Sequence, residues 1–286
     1  MFFHCYGFSD GDWAREGAQD EQQTDLQVED LLDKAMSSPY RRQLFSLYSL
    51  AKAVDISIKH IYIHGLYLLP TTVKYFTSST RFMTFFAGLQ TLSIDVSSLG
   101  LDFVWDEEFY LIFWKGIGRL LPGAGDLTSL VLSSDRLTSG PPAEAWDAVN
   151  LPSLTTLKLE SFLFINRAAF GSVNTGLQAF LWRHLQSNSR LSQIVFNKHH
   201  TTYGSDLVWA MVYDGIANLV SLSSRSALRS FEHTPTLWIL RGENYLHAQD
   251  PGNNVSDYLA RRTSQVVLDL EAYLRLRAVL AKYKRT

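Results

Sequence analysis

The chain reads as an α/β protein in which strand-and-helix units stack one on the next, with parallel strands along one side and helices along the other. Two observations predict this. Tetrapeptides of one style recur, namely Leu89-Gln-Thr-Leu92, Leu127-Thr-Ser-Leu130, Leu154-Thr-Thr-Leu157 and Leu191-Ser-Gln-Ile194, and each continues with one free position and a further apolar residue, Ile94, Leu132, Leu159 or Phe196. Segments with helical spacing of apolar residues lie between them, at 107–121, 168–186 and 206–219. An order of strand, loop, helix, strand builds a stack whose strands run parallel.

The apolar triplet alone carries little weight, because Leu, Ile, Val, Phe and Met make up about a third of the residues and about ten such triplets arise by chance. Requiring Ser, Thr or Gln at both intervening positions lowers the chance expectation to roughly 0.3. Four occur, so the repetition is real.

Composition sets the outer bounds. A length of 286 residues exceeds the usual single core and calls for two domains or an elongated array. Hydrophobic residues at 46% and charged residues at 19% describe a folded chain with a substantial core. A formal net charge of −2 gives no overall attraction to nucleic acid or an anionic membrane, and neither partner is expected. The single cysteine, Cys5, excludes an internal disulfide framework and a Cys-based zinc cluster. The start, Met1-Phe-Phe-His-Cys-Tyr-Gly-Phe8, has no basic residue and no long apolar run, so it does not read as a signal peptide, and no apolar stretch suits a membrane span. Asn254-Val-Ser256 matches a glycosylation acceptor but reads as chance without a secretory signal. A cytoplasmic or nuclear setting is expected.

In chain order, residues 1–33 carry Asp10, Asp12, Glu16, Asp20, Glu21, Asp25, Glu29, Asp30 and Asp33 against one basic residue, Arg15. Such a self-repelling segment predicts a flexible acidic arm. Residues 34–53 predict a helical lead-in, split by Pro39. Alternation then favours strands at 54–58 and 60–64, with a looser triplet at Ile58, Ile61 and Ile63. Triplet starts thus fall at 58, 89, 127, 154 and 191, and the array is expected to span 54–240. Gly88, Gly125-Asp126 and Pro152 punctuate the approaches to strands. Leu219-Val-Ser-Leu222 and Thr236–Leu240 are candidate further strands. The helix expected over 256–284 has Ser256 as N-cap, an apolar stripe of Leu259, Val266, Leu270, Tyr273, Leu274 and Leu280, and cations at its C-terminal end. It is expected to cap the array.

These tetrapeptides and their continuations resemble leucine-rich-repeat proteins, and the uneven repeat length with long helices is similar to the repeat region of fungal F-box-like proteins. The resemblance covers about residues 54–240. It implies an irregular leucine-rich-repeat solenoid with parallel strands on the concave side, helices outside and a C-terminal capping helix. In function it implies a non-enzymatic protein–protein interaction module, in its most specific form a substrate receptor of an F-box-type ubiquitin ligase, with a ligase adaptor as one partner. Two departures stand out. The position nine along from the first apolar residue, Asn or Cys in regular repeats, is Leu66, Ser97, Asp135, Phe162 and His199, so no Asn ladder forms. No Leu-Pro-led F-box precedes the array, and residues 34–53 are at most a remnant.

In such a strand the residues between the apolar positions share the exposed face. That face predicts partner-binding residues His60, Tyr62, His64, Ser93, Asp95, Lys158, Glu160 and Asn197, beside Thr91, Ser129, Val131, Ser133, Thr156, Gln193 and Val195. A merely solvated face is the competing reading. No catalytic, metal or cofactor residue is expected. His60 and His64 have helical chelate spacing, yet in a strand they lie about 13 Å apart, and adjacent His199 and His200 diverge. Gly116-Ile-Gly118 lacks the third glycine and the preceding strand of a dinucleotide cradle. Aromatic residues such as Phe109, Phe113, Trp114, Phe180 and Trp182 read as core. The alternative function is an α/β enzyme whose site is assembled from distant residues without a local motif.

Overall fold

The computed structural model describes residues 2–4, 58–67, 86–97, 107–139, 149–163, 176–187, 190–197, 201–202, 209–222, 226–234, 245–246 and 255–283. It is α/β, and it divides into two compact units, residues 1–136 with 144–151 and residues 137–143 with 152–286. The expected acidic arm, the helical lead-in and the strand at 236–240 lie outside the described residues, apart from a three-residue strand at the start of the chain.

In the first unit β1 (Phe2–His4), β2 (His60–Tyr67), β3 (Thr91–Ser97) and β4 (Ser129–Ser139) lie side by side in that order, each pair parallel. Helix α1 (Glu107–Leu120) and a 3-10 turn (Leu121–Gly123) connect β3 to β4. Strand alternation does what the tetrapeptides predict: Ile61, Ile63, Leu92, Ile94, Leu130 and Leu132 are buried, with the residues between them half-buried. Leu89 and Leu127, the leading leucines, are fully buried, as is Trp114 on α1. Gly116 and Gly118 sit buried inside α1, where no phosphate cradle forms.

In the second unit β5 (Thr156–Leu163), β6 (Gln193–Asn197) and β8 (Ser230–Thr234) are parallel neighbours in that order. Short β7 (Thr201–Thr202) and β9 (Tyr245–Leu246) form a separate parallel pair. Helix α2 (Gly176–Ser187) connects β5 to β6, α3 (Trp209–Leu222) lies between β6 and β8, and α4 (Val255–Tyr283) follows, packed on α3.

Three expectations are corrected here. Leu219–Leu222 ends helix α3 and is not a strand, because Val220 continues the helical face of Val212, Tyr213 and Ile216 into the core. The further strand is β8, opened by Leu228-Arg-Ser-Phe231. Ser256 lies inside α4, which begins at Val255, so it is not the N-cap. The buried stripe of α4 is Asp269, Ala272, Tyr273, Leu276 and Leu280, whereas Leu274 faces outward at 55% exposure.

Consecutive strands are tied by one recurring arrangement. Backbone N–H groups of Gln90 and Thr91 both donate to the Lys59 carbonyl, and those of Thr128 and Ser129 to the Gln90 carbonyl. In the second unit Ser192 and Gln193 donate to the Thr155 carbonyl, and Arg229 and Ser230 to that of Ser192. All eight bonds measure between 2.8 and 3.0 Å. The accepting residue is always the first polar position of the tetrapeptide. The hydroxyls at that position add a third donor to the same carbonyl, Thr128 Oγ1 to Gln90 at 2.9 Å and Ser192 Oγ to Thr155 at 3.1 Å. This is the physical reason for the polar pair: a Ser or Thr there ties its strand to the one before.

Strands also run on through the ninth position where a regular repeat turns. Leu66, Ser97, Asp135 and Phe162 all lie within strands, and Leu66 and Ser97 are paired in the ladder. With the backbone of Leu66 and Ser97 paired between strands, no Asn side chain is required to satisfy it there. The irregularity falls one residue earlier: β2 shifts register between Ile63 and Leu66, around Gly65, and Ser161 of β5 adopts a left-handed φ of 62°.

Candidate functional site

The polar strand faces of the two units are the candidate interaction surfaces, and each is built by period-2 alternation on strands held in parallel register. In the first unit the rows run His60–Thr91–Ser129 and Tyr62–Ser93–Val131, followed by Asp95 beside Ser133. His60 Nδ1 and Thr91 Oγ1 share a hydrogen bond of 3.1 Å. Ser133 Oγ donates to Asp95 Oδ1 at 3.0 Å, and His64 Nδ1 stands 4.0 Å from Asp95 Oδ2. Every predicted residue of this group, His60, Tyr62, His64, Ser93 and Asp95, is therefore on the partly exposed side of its strand.

His64, Asp95 and Ser133 are the residue types of a hydrolytic triad in a different order. A nucleophilic serine needs its hydroxyl on an imidazole that can take the proton. Here the carboxylate sits between the other two and receives the serine hydroxyl itself. The arrangement orients a half-buried carboxylate and leaves the serine hydroxyl on Asp95, not on the imidazole.

In the second unit the rows are Thr156–Gln193–Ser230, Lys158–Val195–Glu232 and Glu160–Asn197–Thr234. Lys158 Nζ and Glu160 Oε2 form an ion pair of 2.9 Å along one strand, and Ser230 Oγ donates to Glu232 Oε1 at 3.2 Å. Lys158, Glu160 and Asn197 are all half-buried. Ser230 and Glu232 join this face although the tetrapeptide pattern passes them over. Leu228-Arg-Ser-Phe231 has Arg where the others carry Thr, Ser or Gln, and His233 at the third apolar position. The signal that finds it is spacing, since 154, 191 and 228 are each 37 apart.

Two features explain how that strand departs from the pattern and still folds. Arg229 Nη1 turns back onto the carbonyls of Ser226 and Leu228, at 2.9 and 3.2 Å. His233 is buried, hydrogen-bonded through Nδ1 to the Tyr213 hydroxyl, and enclosed by the rings of Phe196, Trp209 and Tyr213. A polar ring thus occupies a core position because α3 supplies its partner.

Among the described residues no group of three His, Cys, Asp or Glu side chains is gathered closely enough to hold a metal ion, and no helix is long and apolar enough to cross a membrane. No protein family, curated protein or solved structure matches the chain.

Proposed function

We propose that the chain is a protein-binding module of leucine-rich-repeat type, an irregular solenoid whose polar strand faces hold a partner, and that it has no catalytic role. The observation that carries this reading is the register itself. Apart from Val131 and Val195, strand after strand sets one outward-facing, hydrogen-bonding residue beside the next, with apolar core on the opposite side of the strands. Such a face offers mixed donors, acceptors and charges on a rigid support, which is what a specific polar interface needs. A substrate receptor of an F-box-type ubiquitin ligase is the specific form of this reading, supported by the resemblance of the tetrapeptides.

Affinity purification of the full chain from its native cell tests both levels. Charge reversal of Lys158 and Glu160 in one variant, and Tyr62→Ala with Asp95→Asn in a second, are expected to lower partner recovery at least fivefold for the face that is used, with unchanged circular dichroism. Recovery that survives both variants excludes the strand faces. Absence of the ligase adaptor, where a control receptor retains it, removes the ligase form and leaves the binding module standing.

A further inference from the structure

All the large hydrophobic side chains exposed among the described residues lie on two packed helices, Met211 and Leu222 on α3 and Val267, Leu268 and Leu274 on α4, at 48 to 85% exposure. On α4 they form a second stripe, opposite the one facing the core. Val267, Leu274 and Ala281 are seven residues apart, with Glu271 and Ala278 between them, and all five are exposed. A 4-3-4-3 spacing of this kind is the seam of a helix pair. Leu268 extends the stripe toward α3: the Ala210 N–H meets the Asp269 carboxylate at 2.8 Å, which brings the neighbours Met211 and Leu268 to one level on adjoining helices.

We propose that this outward face of α4 pairs antiparallel with the same face of a second copy of the chain. Charge selects both the occupant and the direction. Glu271 and Arg275 lie one turn apart on the same edge of the seam. A parallel pair would set Glu271 against Glu271 of the second copy within the seam and, because opposite edges meet in a parallel pair, Arg277 of each copy beside Lys282 of the other. An antiparallel two-fold instead brings like edges together, in reversed order. With its axis beside residues 273 and 274 it opposes the two Leu274 side chains and brings Glu271 of each copy within about one residue rise, ~1.5 Å along the axis, of Arg275 of the other.

Arg275 is prepared for this. Its Nε and Nη2 are taken by Asp214 at 3.0 and 2.9 Å, which fixes the guanidinium against α3, and the hydrogen bond to Asp214 is the main reason its pKa lies above the ordinary arginine value. Its Nη1 stands 3.8 Å from its own Glu271, too far for a hydrogen bond, and is left for a carboxylate across the seam.

One helix pair buries less than the about 1,600 Å² of a standard interface, so association should be weak and concentration-dependent. Sedimentation of the full chain over about 1 to 100 μM should show the mass rising from 32.4 kDa toward twice that value. Leu274→Glu should hold it at the single-chain mass throughout, with unchanged circular dichroism because the side chain is exposed. Direction is read by oxidation in a Cys5→Ser background. Leu274→Cys should form a disulfide dimer, whereas Ala281→Cys should not, its counterpart lying about 22 Å away along the axis. A single-chain mass over the whole range, or a mass unaffected by Leu274→Glu, overturns the pairing. Equal cross-linking at both cysteines overturns its direction.

Discussion

The smallest device that holds these strands together is a hydroxyl group. Thr128 and Ser192 occupy the same place in their tetrapeptides and each donates to the carbonyl one strand back, already bonded by two backbone N–H groups. Removing the hydroxyl leaves no orphaned acceptor, so Thr128→Val and Ser192→Ala should each cost about 0.5 to 1 kcal/mol, the low end for a buried hydrogen bond, read from the urea midpoint. Ser161 is a different case, because its left-handed φ of 62° is unfavourable for a side chain branched at Cβ. Ser161→Val should destabilise by about 1 to 2 kcal/mol while Ser161→Gly is tolerated, compared by thermal melting. Gly215 is fixed by contact rather than conformation: a Cβ there would overlap the Trp182 ring of α2. Gly215→Ala should cost about 1 to 3 kcal/mol, and a double-mutant cycle with Trp182→Ala should recover most of it.

At the scale of elements, legibility in the sequence followed from whether one local pattern decided the outcome. Strands β3, β4, β5 and β6 were legible because burial alternates with polar hydrogen bonding in four adjacent residues. Strand β8 was not, since Arg229 and His233 satisfy the same backbone geometry with different chemistry, and His233 is admitted by a tyrosine twenty residues away in sequence. The burial of α4 was misassigned at Leu274 because a helix with two apolar stripes offers no single periodic face to read. Its N-cap was misassigned too. A real cap of this kind serves α3, where Asp269 of α4 accepts the Ala210 N–H and also the Gln265 amide at 3.0 Å. No local signal can show a cap donated across 59 residues. Asp269→Ala should lower stability by about 2 kcal/mol and Asp269→Asn by less, because an acceptor oxygen remains, measured as shifts in the denaturation midpoint.

For the whole molecule, strand alternation was readable residue by residue within each unit, and the eight predicted partner-binding residues stand on outward-facing strand positions, His60 exposed and the other seven half-buried. A partner for them was not readable, because recognition depends on a complement that the chain does not contain. Substitutions at Tyr62, Asp95, Lys158 and Glu160 should separate the two properties: partner recovery falls while the melting temperature moves by no more than about 2 °C, as expected for surface changes within ±0.5 kcal/mol. A matching loss of both would assign those side chains to folding.

The carbonyl that anchors each strand is indifferent to how much chain precedes it. Lys59 and Gln90 are 31 residues apart, Gln90 and Thr128 are 38, yet the same pair of N–H groups closes both steps. Length between strands and registration of strands are thus separate heritable properties. Gains and losses of connecting sequence can accumulate in a lineage without moving a single residue of the polar face, so kinship among such chains should persist in the spacing of side chains across the sheet long after it has faded from aligned sequence.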